Sequence, residues 1–156
     1  MKIGFASDHR GYKLKNQLIQ LLKDQYEVED YGTHTEDSTD YPYYAFKLTD
    51  HVLKNDVDFG VAICGTGIGI SIACNKVKGI RCAKVDSIED VVATRNDNDS
   101  NIIAFGEKMP VEKALELVKT FVETPASEEE KHIRRRKMIK DYEDRAWHLN
   151  FYYISL

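Results

Sequence analysis

The chain has 156 residues, 42% of them hydrophobic and 31% charged, with a net charge of −4. That length builds a single domain with its own core, and the acidic balance argues against nucleic acid as a partner. No uncharged apolar run is long enough to span a bilayer. The N-terminal MKIGFASDHRG lacks an apolar stretch and a small-residue cleavage site, so it is not read as a leader and a cytoplasmic protein with no membrane attachment is expected. Three cysteines, Cys64, Cys74 and Cys82, are too few for a disulfide framework, and without a CxxC or paired histidines they do not form a metal site. Cys74 and Cys82 read as buried small hydrophobes.

Taken in chain order, Lys2 to Ala6 is a short apolar strand closed by SDHRG. From Gly11 to Asp24, apolar Tyr12, Leu14, Leu18, Leu21 and Leu22 recur at helical spacing with Lys and Gln between them. YEVEDYG predicts a second strand, THTEDSTD a polar loop, and Tyr41 to Lys54 a helix with Pro42 in its first turn. DFGVAIC is a third strand, apolar enough to be covered on both faces, and GISIACNK starts a helix. RCAKV is a fourth strand. SIEDVVAT is a helix with a weak N-cap at Ser87 and Asp90, TRNDNDSN a polar loop, and NIIAFG a fifth strand. PVEKALELVKTFVE is an amphipathic helix, and SEEEKHIRRRKMIKDYEDRAW a charged one with a capping-box pattern at Ser127 and Glu130. Alternating strands and helices predict an α/β fold, an open five-stranded parallel sheet with helices on both faces and a C-terminal helical extension. One domain over residues 1–142 is expected, with an aromatic tail over 143–156 packing on it or on a partner subunit.

Ligands of such sheets bind beyond the carboxyl ends of the strands, where SDHRG and CGTGIG lie. TRNDNDSN precedes its strand, sits toward the opposite edge, and reaches the same kind of site most easily across a subunit interface. CGTGIG is not a P-loop, since no Lys-Ser/Thr follows. Gly65 and Gly67 begin a GxGxxG, but Ile70 occupies its last glycine. Glycines at a strand-to-helix turn still expose N–H groups that suit an anion; a tight packing turn is the plainer reading. A thiol at such a turn, Cys64, ionises more readily and suits a nucleophile or proton-transferring base. An anion cradle beside a base fits an enolate or enediolate intermediate. Asp8 and His9 project over the same edge, or Asp8 caps the next helix. KHIRRRK is either a solvated helix face or a phosphate clamp.

The stretches SDHRGYKLK, TDYPYYA, DFGVAICGTGIGISIACNKVKGIR, NDSNIIAFG and KHIRRR resemble the type B ribose-5-phosphate isomerases and their allose- and galactose-6-phosphate relatives, in order over residues 1 to 136. The resemblance implies a Rossmann-like three-layer α/β/α fold and a homodimer, or dimer of dimers, with shared active sites. It implies aldose–ketose isomerisation of a phosphorylated sugar through a cis-enediolate without metal or organic cofactor. Carried over, Cys64 is the base and Gly65, Thr66, Gly67, Ile68 and Gly69 form the anion hole, with Thr66 near the sugar. Asp8 and His9 contact the sugar, Tyr41 lines the pocket, and Asn98 binds the end that becomes the enediolate. Lys108, Lys131 and Arg135 fall on phosphate-binding arginines. Two departures stand out. Asp97 replaces the ring-opening histidine, and a carboxylate ionised at neutral pH is a poor acid, though it can serve as base on the anomeric hydroxyl, or as acid where burial raises its pKa. Lysines at 108 and 131 keep the charge but lose the bidentate fork. A phosphopentose isomerase is the first reading. A phosphohexose isomerase and a weakly active sugar-phosphate-binding paralogue follow, and a nucleotide-binding module is the weakest.

Overall fold

The computed structural model describes residues 1–144. The elements are β1 (Lys2–Ser7), α1 (Tyr12–Leu22), β2 (Glu27–Asp30), α2 (Tyr41–Leu53), β3 (Phe59–Cys64), α3 (Ile68–Cys74), β4 (Cys82–Lys84), α4 (Ile88–Asn98), β5 (Ile102–Gly106), α5 (Val111–Glu123) and α6 (Glu130–Glu143). All strands run parallel in the order β2-β1-β3-β5-β4. The tail expected over 143–156 to pack on the domain or on a partner subunit begins within α6, which ends at Glu143, and beyond Asp144 it lies outside the described residues.

Each central strand alternates large and small side chains, and that alternation sorts the two faces. Ile3, Phe5, Val61, Ile63, Ile103 and Phe105 fill one core with α1, α4 and α5. Ala6, Ala62, Cys64 and Ala104 meet α2 and α3 on the other face. Small residues there let the second helical layer approach closely: a Cβ on Gly4 would lie 2.8 Å from Tyr31 and 2.9 Å from Leu48. Cys64 therefore faces α2 and α3, while Ile63 beside it points to the opposite layer.

Three local expectations are corrected. TRNDNDSN is not a loop, because α4 continues through Asn98. Its start is a complete capping box, with Ser87 Oγ accepting from Asp90 N and the Asp90 carboxylate accepting from Ser87 N. Its end is held by Arg95, buried, which donates to Asp99 Oδ1 at 2.7 Å and Ser100 O at 2.8 Å. Asp99 then leaves the helix in the left-handed region at φ 50°. This tertiary anchoring overrides the turn preference of Asn and Asp. Ser127 and Glu130 do not form a capping box. Ser127 N is tied to Asn96 O and Ser127 O to Arg136, so its hydroxyl meets only Glu129 N and α6 begins at Glu130. Lys15, read as a polar-face residue, is wholly buried and bonds both Asp30 oxygens at 2.6 Å. Burial lowers its pKa and the Asp30 carboxylate opposes that shift.

Candidate functional site

α1 leads from β1 out to the edge strand β2, and α2 carries the chain back to β3 on the other side. The loops after β1 and β3 thus diverge, opening the crevice where open α/β sheets bind ligands. Cys64 ends β3 at the sheet's carboxyl edge, directly before Gly65 and Thr66. The thiol is 4% exposed, and its Sγ accepts the backbone N–H of Gly67 at 3.2 Å. Gly67 adopts φ +79°, which turns the chain sharply into α3, and its Cα packs where a Cβ would meet the Phe105 backbone at 2.7 Å. Thr66 Oγ1 accepts from Ile68 N at 3.2 Å. Tyr41, at the start of α2, lies against Gly69, where a Cβ would sit 2.7 Å from the ring. The expected wall residue and the glycine turn are therefore in contact.

Asp8 braces the loop into α1 without capping the helix: its Oδ1 accepts from Arg10 N at 2.9 Å and Gly11 N at 3.1 Å, while the N-cap position is Gly11 and carries no side-chain cap bond. His9 is oriented by the 33–40 loop. Its Nδ1 accepts the N–H of Thr39 at 3.2 Å, so in the neutral ring Nε2 carries the proton and is the donor available to a ligand. Lys108 follows β5 and, with Gly65, Thr66, Gly106 and Lys113, lines a pocket of about 320 Å³ at this carboxyl edge.

The remaining expected residues lie elsewhere. Asp97 and Asn98 end α4 at the amino edge of the sheet, and Lys131 and Arg135 stand on α6, which packs against them. The strand rows from Gly60–Ile102 to Cys64–Gly106 separate the two edges, about 13 Å of strand. Asn98 lines a second pocket there, about 360 Å³, with Arg81, Thr94 and Ser100. Lys131 pairs with Glu129 at 2.9 Å and holds that carboxyl below its usual range. Within one chain the expected residues therefore fall into two groups on opposite edges, and Lys108 does not meet Lys131 or Arg135.

Two features escaped the sequence reading. Arg10 crosses Gly65 to Glu107, its Nε 2.7 Å from Oε1 and its Nη2 on the same oxygen; its place beside Asp8 and His9 was the available signal. His132, 6% exposed, sets Nε2 3.6 Å from Asp97 Oδ1, and its Nδ1 is buried with no hydrogen-bond partner among the described residues. Cys74 is buried as expected, whereas Cys82 is half-buried, its thiol pushed up by a hydrogen bond with Cys74 and by burial. Among the described residues no group of three or more His, Cys, Asp or Glu could hold a metal ion, and no helix is long and apolar enough to cross a membrane.

An open parallel α/β sheet with a thiol and a glycine turn at its carboxyl edge defines an α/β protein whose ligand site lies beyond the ends of its strands. The chain belongs to the ribose/galactose isomerase family, whose model matches residues 3–139. It is 42% identical over 123 residues to ribose-5-phosphate isomerase B of Escherichia coli, covering 78% of this chain and 80% of that one. The corresponding protein of Mycobacterium leprae is 35% identical over 146 residues, covering 92% and 90%. Among solved structures, ribose-5-phosphate isomerase B of Clostridium thermocellum superposes with a TM-score of 0.89 at 41% identity, covering 94% of this chain and 99% of that one. That of Mycoplasma genitalium, solved with bound ribulose-5-phosphate, gives 0.85 at 35%, covering 92% and 96%.

Proposed function

We propose that this isomerase interconverts ribose 5-phosphate and ribulose 5-phosphate, with Cys64 as the base. The carrying observation is Cys64 itself: a buried thiol at the carboxyl end of β3, its sulfur already accepting a backbone N–H of the glycine turn. With the ring open, the thiolate takes the proton from C2 and returns it to C1, while the hydroxyl proton passes from O2 to O1. The intermediate enediolate carries its charge on oxygen, where the N–H groups of Gly65 to Gly69 stabilise it and the Thr66 hydroxyl lies near the sugar. His9 Nε2–H and the free oxygen of Asp8 bind sugar hydroxyls, and Tyr41 forms the wall. Asp97 acts as base on the anomeric hydroxyl, and Asn98 binds the enediolate end.

Asp97 and Asn98 sit at the sheet edge opposite Cys64. That separation supports a homodimer in which each crevice receives Asp97, Asn98, Lys131 and Arg135 from the second chain. Because Asp97 stands where the resembling proteins have histidine, a phosphohexose such as allose or galactose 6-phosphate is the second reading. Ring opening depends on ring size, and this is the residue that changed.

The test is ketose formation from ribose 5-phosphate, allose 6-phosphate and galactose 6-phosphate by the wild type and Cys64→Ala. Turnover of the pentose that falls about 10²–10⁴-fold in the variant is expected for loss of a general base. Faster turnover of a hexose selects the second reading, and activity that survives Cys64→Ala removes the base assignment.

A further inference from the structure

Lysine stands at positions 108 and 131, and a lysine gives phosphate a point charge rather than a planar fork. The arginines of α6 do not all make good that loss: Arg136 is committed to Ser127 O at 2.7 Å and to the carbonyls of Asn96 and Asp97. At the carboxyl edge stands a guanidinium, that of Arg10, which no step of the proposed reaction uses. Arg10 lies flat across Gly65, whose missing Cβ makes the room: one there would sit 3.2 Å from Cζ and 3.3 Å from Nη1.

Glu107 fixes the guanidinium from one side only. Its Oε1 accepts from Nε and Nη2, and Nη1 has no hydrogen-bond partner among the described residues. The Arg10 side chain is 52% exposed. Its neighbours in sequence and space are cationic or polar: His9 precedes it, and both Lys108 and His9 act on the Glu107 carboxylate, which Arg10 holds below its usual range. Three positive or donor groups thus stand at one edge of the crevice beside Glu107, Asp8 and Asp86, and Glu107 orients the guanidinium while its Nη1 makes no hydrogen bond among the described residues. An oriented fork with a free end is the arrangement that grips a phosphate through two parallel N–H bonds.

We propose that Arg10, positioned by Glu107, is a phosphate-binding residue of this chain and supplies the fork that Lys108 and Lys131 lack. The proposal rests on the reading of the substrate as a phosphorylated sugar, but its test does not require turnover. Inorganic phosphate is titrated calorimetrically into the wild type, Arg10→Ala, Arg10→Lys and Glu107→Gln, beside KM and kcat for ribose 5-phosphate. Arg10→Ala is expected to weaken phosphate about tenfold or more and to raise KM in parallel, with kcat nearly kept, and Arg10→Lys to recover part of the loss. Glu107→Gln, which keeps the accepting oxygen and removes the competing charge, is expected to tighten phosphate. Unchanged phosphate affinity in Arg10→Ala overturns the proposal, as does a wild type that binds no phosphate. A role as a mere strap between loops would lower the melting temperature of Arg10→Ala and leave phosphate binding alone. Phosphate binding by a wild type that isomerises no sugar would instead overturn the proposed function and spare Arg10.

Discussion

Around Cys64 the backbone, more than the side chains, sets the chemistry. Gly67 must hold φ +79° for its N–H to reach the sulfur, and the same residue packs directly on the Phe105 backbone. Gly67→Ala combines an unfavourable left-handed residue with a backbone clash, so a loss of at least about 2 kcal/mol is expected. Urea denaturation measures it, and a loss below that of an ordinary surface substitution would show that the turn relaxes freely. The thiol and its glycines were legible in the sequence because local spacing specifies a turn. Arg10 and Lys15 were not, because their roles come from distant partners. Lys15 reads as solvated within its own helix until Asp30 of β2 is placed beside it.

At the level of elements, the strands were readable and α4 was only half so. Alternating large and small residues on β1, β3 and β5 announce two buried faces, whereas RNDND carries every local sign of a turn. What extends the helix is Arg95, which donates to Thr124 O, Asp99 and Ser100 O and lies 4.9 Å from the ring centre of Phe59. Arg95→Met leaves those carbonyls buried without their donor and is expected to cost about 3 kcal/mol. It should also raise amide exchange selectively over residues 94–101, which carry Asp97 and Asn98. Uniform exchange along α4 would assign the cost to the core instead.

Across the whole molecule, the residues of the proposed site lie on opposite edges of one sheet, and that proposal makes a prediction about mixtures. Cys64→Ala and Asn98→Ala are each expected to be inactive alone. Refolded together in equal amounts, they should regain about a quarter of wild-type activity, since half the symmetric dimers would be mixed with one intact site each. No recovery would mean that each chain completes its own site. The sequence indicated a parallel sheet and placed the 94–101 segment away from Cys64. It did not indicate strand order, because order depends on which crossovers pass over which face and no short stretch records that.

The order β2-β1-β3-β5-β4 has a consequence for the chain as it leaves the ribosome. β4, only three residues long, is synthesised before β5, its neighbour in the sheet of the described residues. It cannot dock when it emerges, and α4 is made with no finished sheet beneath it. Meanwhile β3, the strand that ends in Cys64, has β1 on one side and a bare edge on the other, an invitation to pairing with other chains. The arrival of β5 closes that edge and gives β4 its place in one event. The nascent sheet is thus completed last on its β5–β4 side, and β3, which ends in Cys64, keeps one bare edge until residues 102–106 are made.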